Sequence, residues 1–345
     1  MSNNLKILSR PKGNAEEYGR WSCNPYIGCG HGCLYCYLKK GPSGAYLGQD
    51  EPVLKKGVVD DRHAYHLAMA EIAANRDDIT RDGGLFMTFT SDPLQPETRN
   101  LSLTIASDAM DMGIPVVLLT KDATFLDLDL DLDPLYEKIT GLGKEEEWRR
   151  CIPYFHAGIG RLTFIDNPHF VSRSGAIAFG FTLTGHDELE PAASPNADRI
   201  SAMKRLAERG YRVWASIEPV IDFDTSYQMI LDALAAGCRH FKIGLLTDRT
   251  RVVRRPFGFG GHQFKAYGLA ECCQFVGYVM ELTDGRATVY WKQSFVDFLQ
   301  GPDRKSPQPV HGMTAREFLH QWEHSVDKDW NMFNNGVCLI KRIDV

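Results

Sequence analysis

Short apolar segments rich in β-branched and aromatic residues alternate with helical patterns along most of this 345-residue chain. This alternation is typical of parallel strands joined by crossover helices. The strands predicted in this way are Leu85–Thr90, Pro115–Thr120, Ile177–Thr182, Tyr211–Ile217, His240–Leu245 and Ala287–Trp291. Together with a strand leading into a cysteine-rich loop near the start of the chain, they make six or more strand–helix units. The pattern therefore predicts an α/β fold, a partial or nearly closed β/α barrel.

Two helices in the second half of the chain have the clearest pattern. Asn196–Gly210 carries apolar residues at helical spacing and ends in a glycine suited to a C-cap. Thr225–Gly237 repeats this arrangement. A further helix is predicted at Thr314–Trp330, where it would cover the open side of the barrel.

Composition and charge exclude several classes of protein. Hydrophobic residues make up 43% and charged residues 24% of the chain, as in globular proteins rather than disordered or fibrous ones. The formal net charge is −5, so any contact with nucleic acid must come from a local basic patch. No apolar run approaches the ~18 residues of a membrane span, and residues 1–20 lack the apolar core of a signal peptide. We therefore expect a cytoplasmic protein with no membrane partner.

A cluster of thiols near the start of the chain carries the most chemical information. Cys29, Cys33 and Cys36 form C-x3-C-x2-C within a glycine-rich loop that can bring three sulfurs together. Thiolates are ligands of iron–sulfur clusters and of zinc. Three cysteines leave one corner of a cubane cluster without a protein ligand, and an open site of this kind can bind and activate a second molecule.

The alternative is a structural zinc site with His31 or Cys23 as the fourth ligand. Zinc knuckles more often pair two separate C-x2-C units, and a second unit is missing from this sequence. Cys272 and Cys273 are adjacent and do not fit that geometry.

The cysteine motif, followed by alternating strands and helices, resembles the radical SAM superfamily. Its flanking residues, N-P-Y-x-G-C-x-x-x-C-x-Y-C-Y, are similar to the group that contains spore photoproduct lyase and the proteins labelled DNA repair photolyases. The resemblance implies that Cys29, Cys33 and Cys36 hold a [4Fe-4S] cluster. It also implies that S-adenosylmethionine chelates the fourth iron and yields a 5'-deoxyadenosyl radical on one-electron reduction, with an electron donor such as flavodoxin or ferredoxin.

The same resemblance implies a domain organisation. The radical SAM partial barrel would span residues 21–295, with inserted loops at about 141–174 and 246–265. A short extension, residues 1–20, would precede it, and a C-terminal helical cover, residues 296–345, would follow.

Residues at the strand ends are similar to the cofactor-binding residues of that group. Ser91 lies in Thr90–Glu97, which resembles the T-S-D or T-D-P-x-Q-P-x-E stretch, and Lys121 follows the next strand in a T-K motif. Thr182 ends the fourth strand, and Arg199 lies on the helix after Glu190-Pro191. Since active groups of such barrels sit at the carboxyl ends of the strands, this resemblance implies that all four place the cofactor.

Two tyrosines and one phenylalanine lie at positions where photoproduct lyase has residues that return a hydrogen atom to the product radical. Tyr35 and Tyr37 flank the third cysteine as in photoproduct lyase, where such tyrosines support hydrogen return; packing beside the cluster is the other interpretation. Photoproduct lyase has a hydrogen-donating cysteine two residues before the cofactor-binding serine. Here that residue is Phe89, which cannot donate that hydrogen.

A basic segment is the candidate contact with nucleic acid. Arg249, Arg251, Arg254 and Arg255 are interleaved with aromatic residues and glycines within residues 249–265. Arginines contact phosphates and aromatic rings stack on bases, although an ordinary exposed basic loop has the same composition.

These features lead to one functional expectation and two alternatives. We expect a radical SAM isomerase or lyase that remodels a thymine-type base in DNA or a modified nucleoside. Two stretches, Ser216–Pro219 and Trp291–Gln293, resemble a phage-associated branch of radical SAM proteins more than the photoproduct lyases. This resemblance implies that the substrate could be a hypermodified thymidine of a phage, in the host cytoplasm. The alternatives are photoproduct-lyase-like DNA repair and a non-catalytic metal-binding module that recognises nucleic acid.

Overall fold

Twelve short strands and eight α-helices are present in the computed structural model, which describes residues 5–39, 43–127, 171–172, 174–246, 267–300, 309–310 and 313–314. The strands are β1 Leu8–Ser9, β2 Ser22–Cys23, β3 Tyr26–Ile27, β4 Val53–Leu54, β5 Leu85–Met87, β6 Val116–Thr120, β7 Ile177–Thr182, β8 Arg212–Val220, β9 His240–Leu245, β10 Thr288–Trp291, β11 Pro309–Val310 and β12 Met313–Thr314. The helices are α1 Gly44–Leu47, α2 Asp61–Ala74, α3 Arg76–Arg81, α4 Arg99–Asp111, α5 Asn196–Glu208, α6 Phe223–Ala235, α7 Leu269–Thr283 and α8 Gln293–Gln300.

The main sheet has eight strands in the order β1-β2-β5-β6-β7-β8-β9-β10. Every neighbouring pair is parallel except β1 with β2, which is antiparallel. Strands that follow one another in sequence also lie side by side, as in a β/α barrel built from successive crossover units. The predicted partial β/α barrel is therefore confirmed.

The strand bounds agree with the sequence pattern to within one residue except at two carboxyl ends; β6, β8 and β10 each begin one residue later than predicted. β7 and β9 have the predicted bounds, whereas β5 ends at Met87 and β8 continues to Val220. β5 ends early because the Thr88 hydroxyl donates to the carbonyl of Ser91 at 2.8 Å and closes a turn. β8 continues past an irregularity in its pairing with β9, between Ile217 and Val220.

The helix ends follow local capping chemistry. α6 begins at Phe223 because a carboxylate oxygen of Asp222 accepts the backbone N–H of Thr225 at 2.8 Å. After α5 the chain turns at Gly210, whose φ of +82° is in the region that favours glycine, as the predicted C-cap requires.

The two faces of the sheet bury different side chains. One set of alternate strand residues, such as Phe179 and Phe181 on β7, belongs to the large apolar core shared with the surrounding helices. The other set faces the inside of the barrel, where Phe86, Ala178 and Trp214 form a smaller apolar cluster. Because both faces are covered, every residue of β7 is buried, and all of them except the terminal Thr182 are apolar.

The segment treated as an extension contributes to the barrel itself. β1 adds an edge strand, and Tyr18 packs against the inner cluster with its ring centroid 5.6 Å from that of Phe86. The proposed division into residues 1–20, 21–295 and 296–345 stays a prediction.

Several predicted segments lie outside the described residues. They are most of the insert at 141–174, residues 247–265 of the second insert, and residues 315–330 of the predicted C-terminal helix. Thr314, the first residue of that predicted helix, belongs to β12. Within the part of the chain that is described, every helix is too short or too polar to cross a bilayer.

Replacing Gly180 by alanine is expected to destabilise the barrel. A Cβ at Gly180 would lie 2.1 Å from the indole of Trp214, so the ring or the strand would have to move. Overpacking of this kind costs about 1–3 kcal/mol. Gly175→Ala is the matched control, because its Cβ would have nothing within 4 Å. Urea unfolding would measure both, and equal free energies of unfolding would contradict this packing.

Candidate functional site

The cysteine-bearing loop is held tightly where it leaves the first strands of the barrel. The backbone N–H of Cys29 donates to the carbonyl of Gln49 at 3.1 Å. Gly28 before it has a φ of +83°, and a Cβ there would lie 2.4 Å from the carbonyl oxygen of Glu51. Only glycine fits this conformation and this close approach, so the loop enters along one path.

The three cysteines are partly exposed and lie within electrostatic reach of one another. Burial is the main cause that raises the pKa of Cys29, and negative charge on Cys33 or Cys36 raises it further. Burial also raises the pKa of Cys33, to about 11, although the positive charge of Lys121 opposes the shift. A metal centre would have to supply the positive charge that converts these thiols to thiolates.

This donor set fits an iron–sulfur cluster better than a single zinc ion. Among the described residues, no group of three or more His, Cys, Asp or Glu side chains is arranged to hold one metal ion. In a cubane each thiolate binds a different iron, so the three sulfurs need not converge on one point. Of the candidate fourth zinc ligands, Cys23 is buried within β2 and His31 is bonded to Asp92.

His31 fastens the cysteine loop to the strand ends. Its Nε2 lies 2.9 Å from a carboxylate oxygen of Asp92, and its Nδ1 lies 3.3 Å from the carbonyl of Ala192. Burial alone would raise the pKa of Asp92, but His31, the hydroxyl of Thr120 and the backbone N–H of Leu94 together lower it to about 2. Asp92 therefore stays ionised and ties the loop to the ends of β5 and β6.

Gln95 connects the predicted cofactor residue Ser91 to the same loop. Its side-chain oxygen accepts the backbone N–H of Gly30 at 3.1 Å, and the thiol of Cys29 lies 3.7 Å from it. Its side-chain nitrogen donates to the Ser91 hydroxyl at 3.3 Å. Ser91 thus lies beside the cysteine loop with its hydroxyl partly exposed.

A buried carboxylate, Glu190, lies at the centre of a charged group next to Cys33. The guanidinium of Arg199 is 2.6 Å from Glu190 Oε2. Lys121 Nζ is 4.0 Å from Glu190 Oε1, which also accepts the hydroxyl of Tyr35. Burial tends to lower the pKa of Lys121, but Cys33 in its thiolate form and the carboxylate of Glu190 outweigh it and raise that pKa. Lys121 therefore stays an ammonium beside the cysteines.

Lys121 and Arg199 use their donors differently. Arg199 is fully buried, and besides its ion pair with Glu190 it donates to the carbonyls of Ser194 at 2.7 Å and Thr182 at 2.8 Å. Lys121 Nζ forms no hydrogen bond to any described residue, and its side chain is 18% exposed. Its N–H groups are available to a bound anion.

Thr182 lies at the carboxyl end of β7, on the face that lines the barrel. Its register partner on β8 is Ser216, and both residues are buried. Thr182 thus belongs to the same edge of the sheet as Ser91 and Lys121.

The two tyrosines of the C-x-Y-C-Y motif have different surroundings. Tyr35 is buried; burial and the charge of Glu190 raise its pKa, so its phenol keeps the proton that it donates to Glu190. Tyr37 is 62% exposed, and its hydroxyl donates to the carbonyl of Phe89. The Phe89 ring is stacked on Phe86 with 4.5 Å between ring centroids.

The predicted nucleic-acid contacts lie outside the described residues. These are Arg249, Arg251, Arg254 and Arg255. Leu246, the last described residue before them, packs with Tyr35 and Leu189 in a small cluster beside the cysteine loop. Leu246, the first residue of the predicted insert, therefore lies next to the candidate site.

The sequence did not predict the contacts by which Asp92, Gln95, Glu190 and His31 hold the cysteine loop. Asp92, Gln95 and Glu190 all lie within the stretches that carry the family resemblance. A charged residue in an apolar strand-end segment is itself a signal, since such residues are rarely buried without partners. His31 was weighed only as a metal ligand, because its partner Asp92 is distant in sequence.

Comparison with known proteins gives a match in fold. No protein-family model matches the chain, and a search of curated proteins also gave no match. A cysteine-to-alanine variant of spore photoproduct lyase matches at 15% identity and a TM-score of 0.52, over 85% of this chain and 81% of that one. A double variant with bound AdoMet and dinucleoside spore photoproduct matches at 16% identity and a TM-score of 0.52, with the same coverage. The chain therefore has the fold of spore photoproduct lyase, a partial β/α barrel of the radical SAM type.

Proposed function

We propose that this chain is a radical SAM enzyme that abstracts a hydrogen atom from a thymine-type base and remodels it. The observation that carries the proposal is the tight loop of Cys29, Cys33 and Cys36 beside the ammonium of Lys121. When bound there, a [4Fe-4S] cluster with S-adenosylmethionine supplies a 5'-deoxyadenosyl radical on one-electron reduction. A flavodoxin or ferredoxin is the proposed electron donor.

The chain's own residues bind and orient the cofactor in this proposal. Lys121 donates to the cofactor carboxylate, since its N–H groups are not used by described residues. The Ser91 hydroxyl, oriented by Gln95, and the Thr182 strand end supply polar partners for the cofactor's amino and ribose groups. Arg199 acts through Glu190, because its guanidinium is fully buried.

The two tyrosines take separate roles. Tyr35 is a positioning residue that holds Glu190, and through it the ammonium of Lys121. Tyr37 lies exposed beside Phe89, where its phenol can assist hydrogen return to the substrate.

The substrate is assigned to a thymine-type base in DNA, or a modified thymidine, on three grounds. One spore photoproduct lyase structure of this fold is described as complexed with dinucleoside spore photoproduct. The arginines at 249–255 are suited to phosphates. Phe89 is an apolar ring packed against Phe86 rather than a hydrogen donor, which favours isomerisation or another remodelling over photoproduct-lyase-like repair.

Anaerobic reconstitution tests the cluster assignment. We expect the protein to take up about four iron and four sulfide ions, and Cys33→Ala to lose the brown colour and the formation of 5'-deoxyadenosine on reduction. Cys273→Ala is the matched control, because Cys273 is buried in α7 away from the site. A colourless zinc protein, or full cluster content in Cys33→Ala, would contradict the proposal.

Replacing Lys121 by methionine tests the cofactor contact. The variant is expected to keep its iron but to bind S-adenosylmethionine about 10–100-fold more weakly, since a hydrogen bond between charged groups contributes about 1.5–3 kcal/mol. Equilibrium dialysis of the reconstituted protein measures this. Lys204→Met, on the exposed side of α5, is the control and should bind normally; equal affinity in both variants would remove Lys121 from the cofactor site.

A further inference from the structure

Two sequence motifs with no role in the proposed cofactor site meet inside the barrel. Glu218 lies near the end of β8 and Lys292 directly follows β10. Lys292 Nζ is 2.7 Å from one carboxylate oxygen of Glu218 and 2.6 Å from the other. β9 lies between them, and a Cβ at Gly244 would come within 2.8 Å of Glu218 Oε1 and 3.0 Å of Lys292 Cδ. The glycine leaves the room that this ion pair needs.

The pair belongs to a larger polar group formed with the start of the chain. The hydroxyl of Tyr18 donates to Glu218 and lies 2.9 Å from the Ser216 hydroxyl. Lys292 Nζ is also 3.5 Å from a carboxylate oxygen of Glu17. Burying such charges is costly, and apolar side chains of similar volume serve stability equally well. A buried ionic group at the open end of a barrel is therefore a candidate for function.

A count of donors and acceptors shows what the group can offer a ligand. Lys292 has three N–H groups and three acceptor oxygens around it, two from Glu218 and one from Glu17. A carboxylate has about four acceptor sites, of which Lys292 and Tyr18 occupy three on Glu218. The Glu218 side chain is 25% exposed, whereas that of Lys292 is 3% exposed. Among the contacts of the described residues, one acceptor site of Glu218, the more exposed partner of the pair, is left for a ligand.

Aromatic rings connect this acceptor to the cysteine loop. The ring of Tyr18, bonded to Glu218, lies edge-on to Phe89 with 6.2 Å between centroids. The carbonyl of Phe89 accepts the hydroxyl of Tyr37, which is one residue from Cys36. A chain of aromatic side chains, Tyr18, Phe89 and Tyr37, thus links the acceptor to the predicted cluster ligands.

We propose that Glu218 is the specificity residue for the substrate and accepts the ring N–H of a pyrimidine imide, such as the N3–H of thymine. Lys292 holds the carboxylate in place, and the aromatic side chains match the flat face of the base. This inference rests on the proposed function and names the feature of the substrate that is recognised.

The test is binding of a thymidine dinucleotide, TpT, and of its N3-methylated form to the reconstituted full-length protein. N3 methylation removes the donor, so the native protein should bind the methylated form at least ~10-fold more weakly. The double variant Glu218→Met with Lys292→Met removes both charges of the pair together, so neither is left without the other. It should bind both dinucleotides with the same low affinity.

A second double variant serves as the control. Lys204→Met with Glu208→Met removes an exposed ion pair on α5 and should keep the discrimination of the native protein. Equal affinity of the native protein for the two dinucleotides, or discrimination retained in the Glu218 and Lys292 variant, overturns the inference. Formation of 5'-deoxyadenosine by the native protein without substrate is measured in parallel. Its absence counts against the proposed function, whereas the effect of N3 methylation alone decides base recognition.

Discussion

The candidate site depends on buried carboxylates that fasten the cysteine loop to the edge of a parallel sheet. The carboxylate of Asp92 is hydrogen-bonded to His31 of the loop and to the Thr120 hydroxyl of β6. Asp92 stays ionised because these partners lower its pKa more than burial raises it. On the other side of the loop, Glu190 joins Tyr35 to Arg199. A loop of glycines and thiols has little packing of its own, so these two anchors give it a defined position.

The same arrangement explains why similar strand-end residues have different roles. A parallel sheet brings the carboxyl ends of its strands to one edge, where successive loops supply polar groups to a common site. The guanidinium of Arg199 is engaged within the protein, because all its observed partners are protein oxygens. The Lys121 side chain is 18% exposed, whereas that of Arg199 is fully buried, and Lys121 Nζ forms no hydrogen bond to any described residue. Of these two cationic residues, Arg199 thus stabilises the site, and Lys121 is placed to contact a ligand.

The sequence predicted the barrel well because its strands are buried on both faces. β7 and β9 read as largely apolar runs, interrupted in β9 by His240 and Lys242 and ended in β7 by Thr182, and their predicted bounds are confirmed. The contacts of Glu218 with Lys292 and Tyr18 could not be predicted, because they join residues far apart in the chain across the inside of the barrel. The contact of His31 with Asp92 could not be predicted for the same reason, because the two residues are far apart in the chain.

The central claim is that the cysteine loop supports hydrogen abstraction from a thymine-type base. The most direct test of this claim traces the abstracted hydrogen. Dinucleotides or DNA deuterated at defined thymidine positions are incubated anaerobically with the reconstituted protein, S-adenosylmethionine and a reductant. Mass spectrometry of the 5'-deoxyadenosine shows where the hydrogen came from. The account predicts that deuterium from one thymidine position appears in this product. Formation of 5'-deoxyadenosine free of deuterium with every labelled position would contradict it.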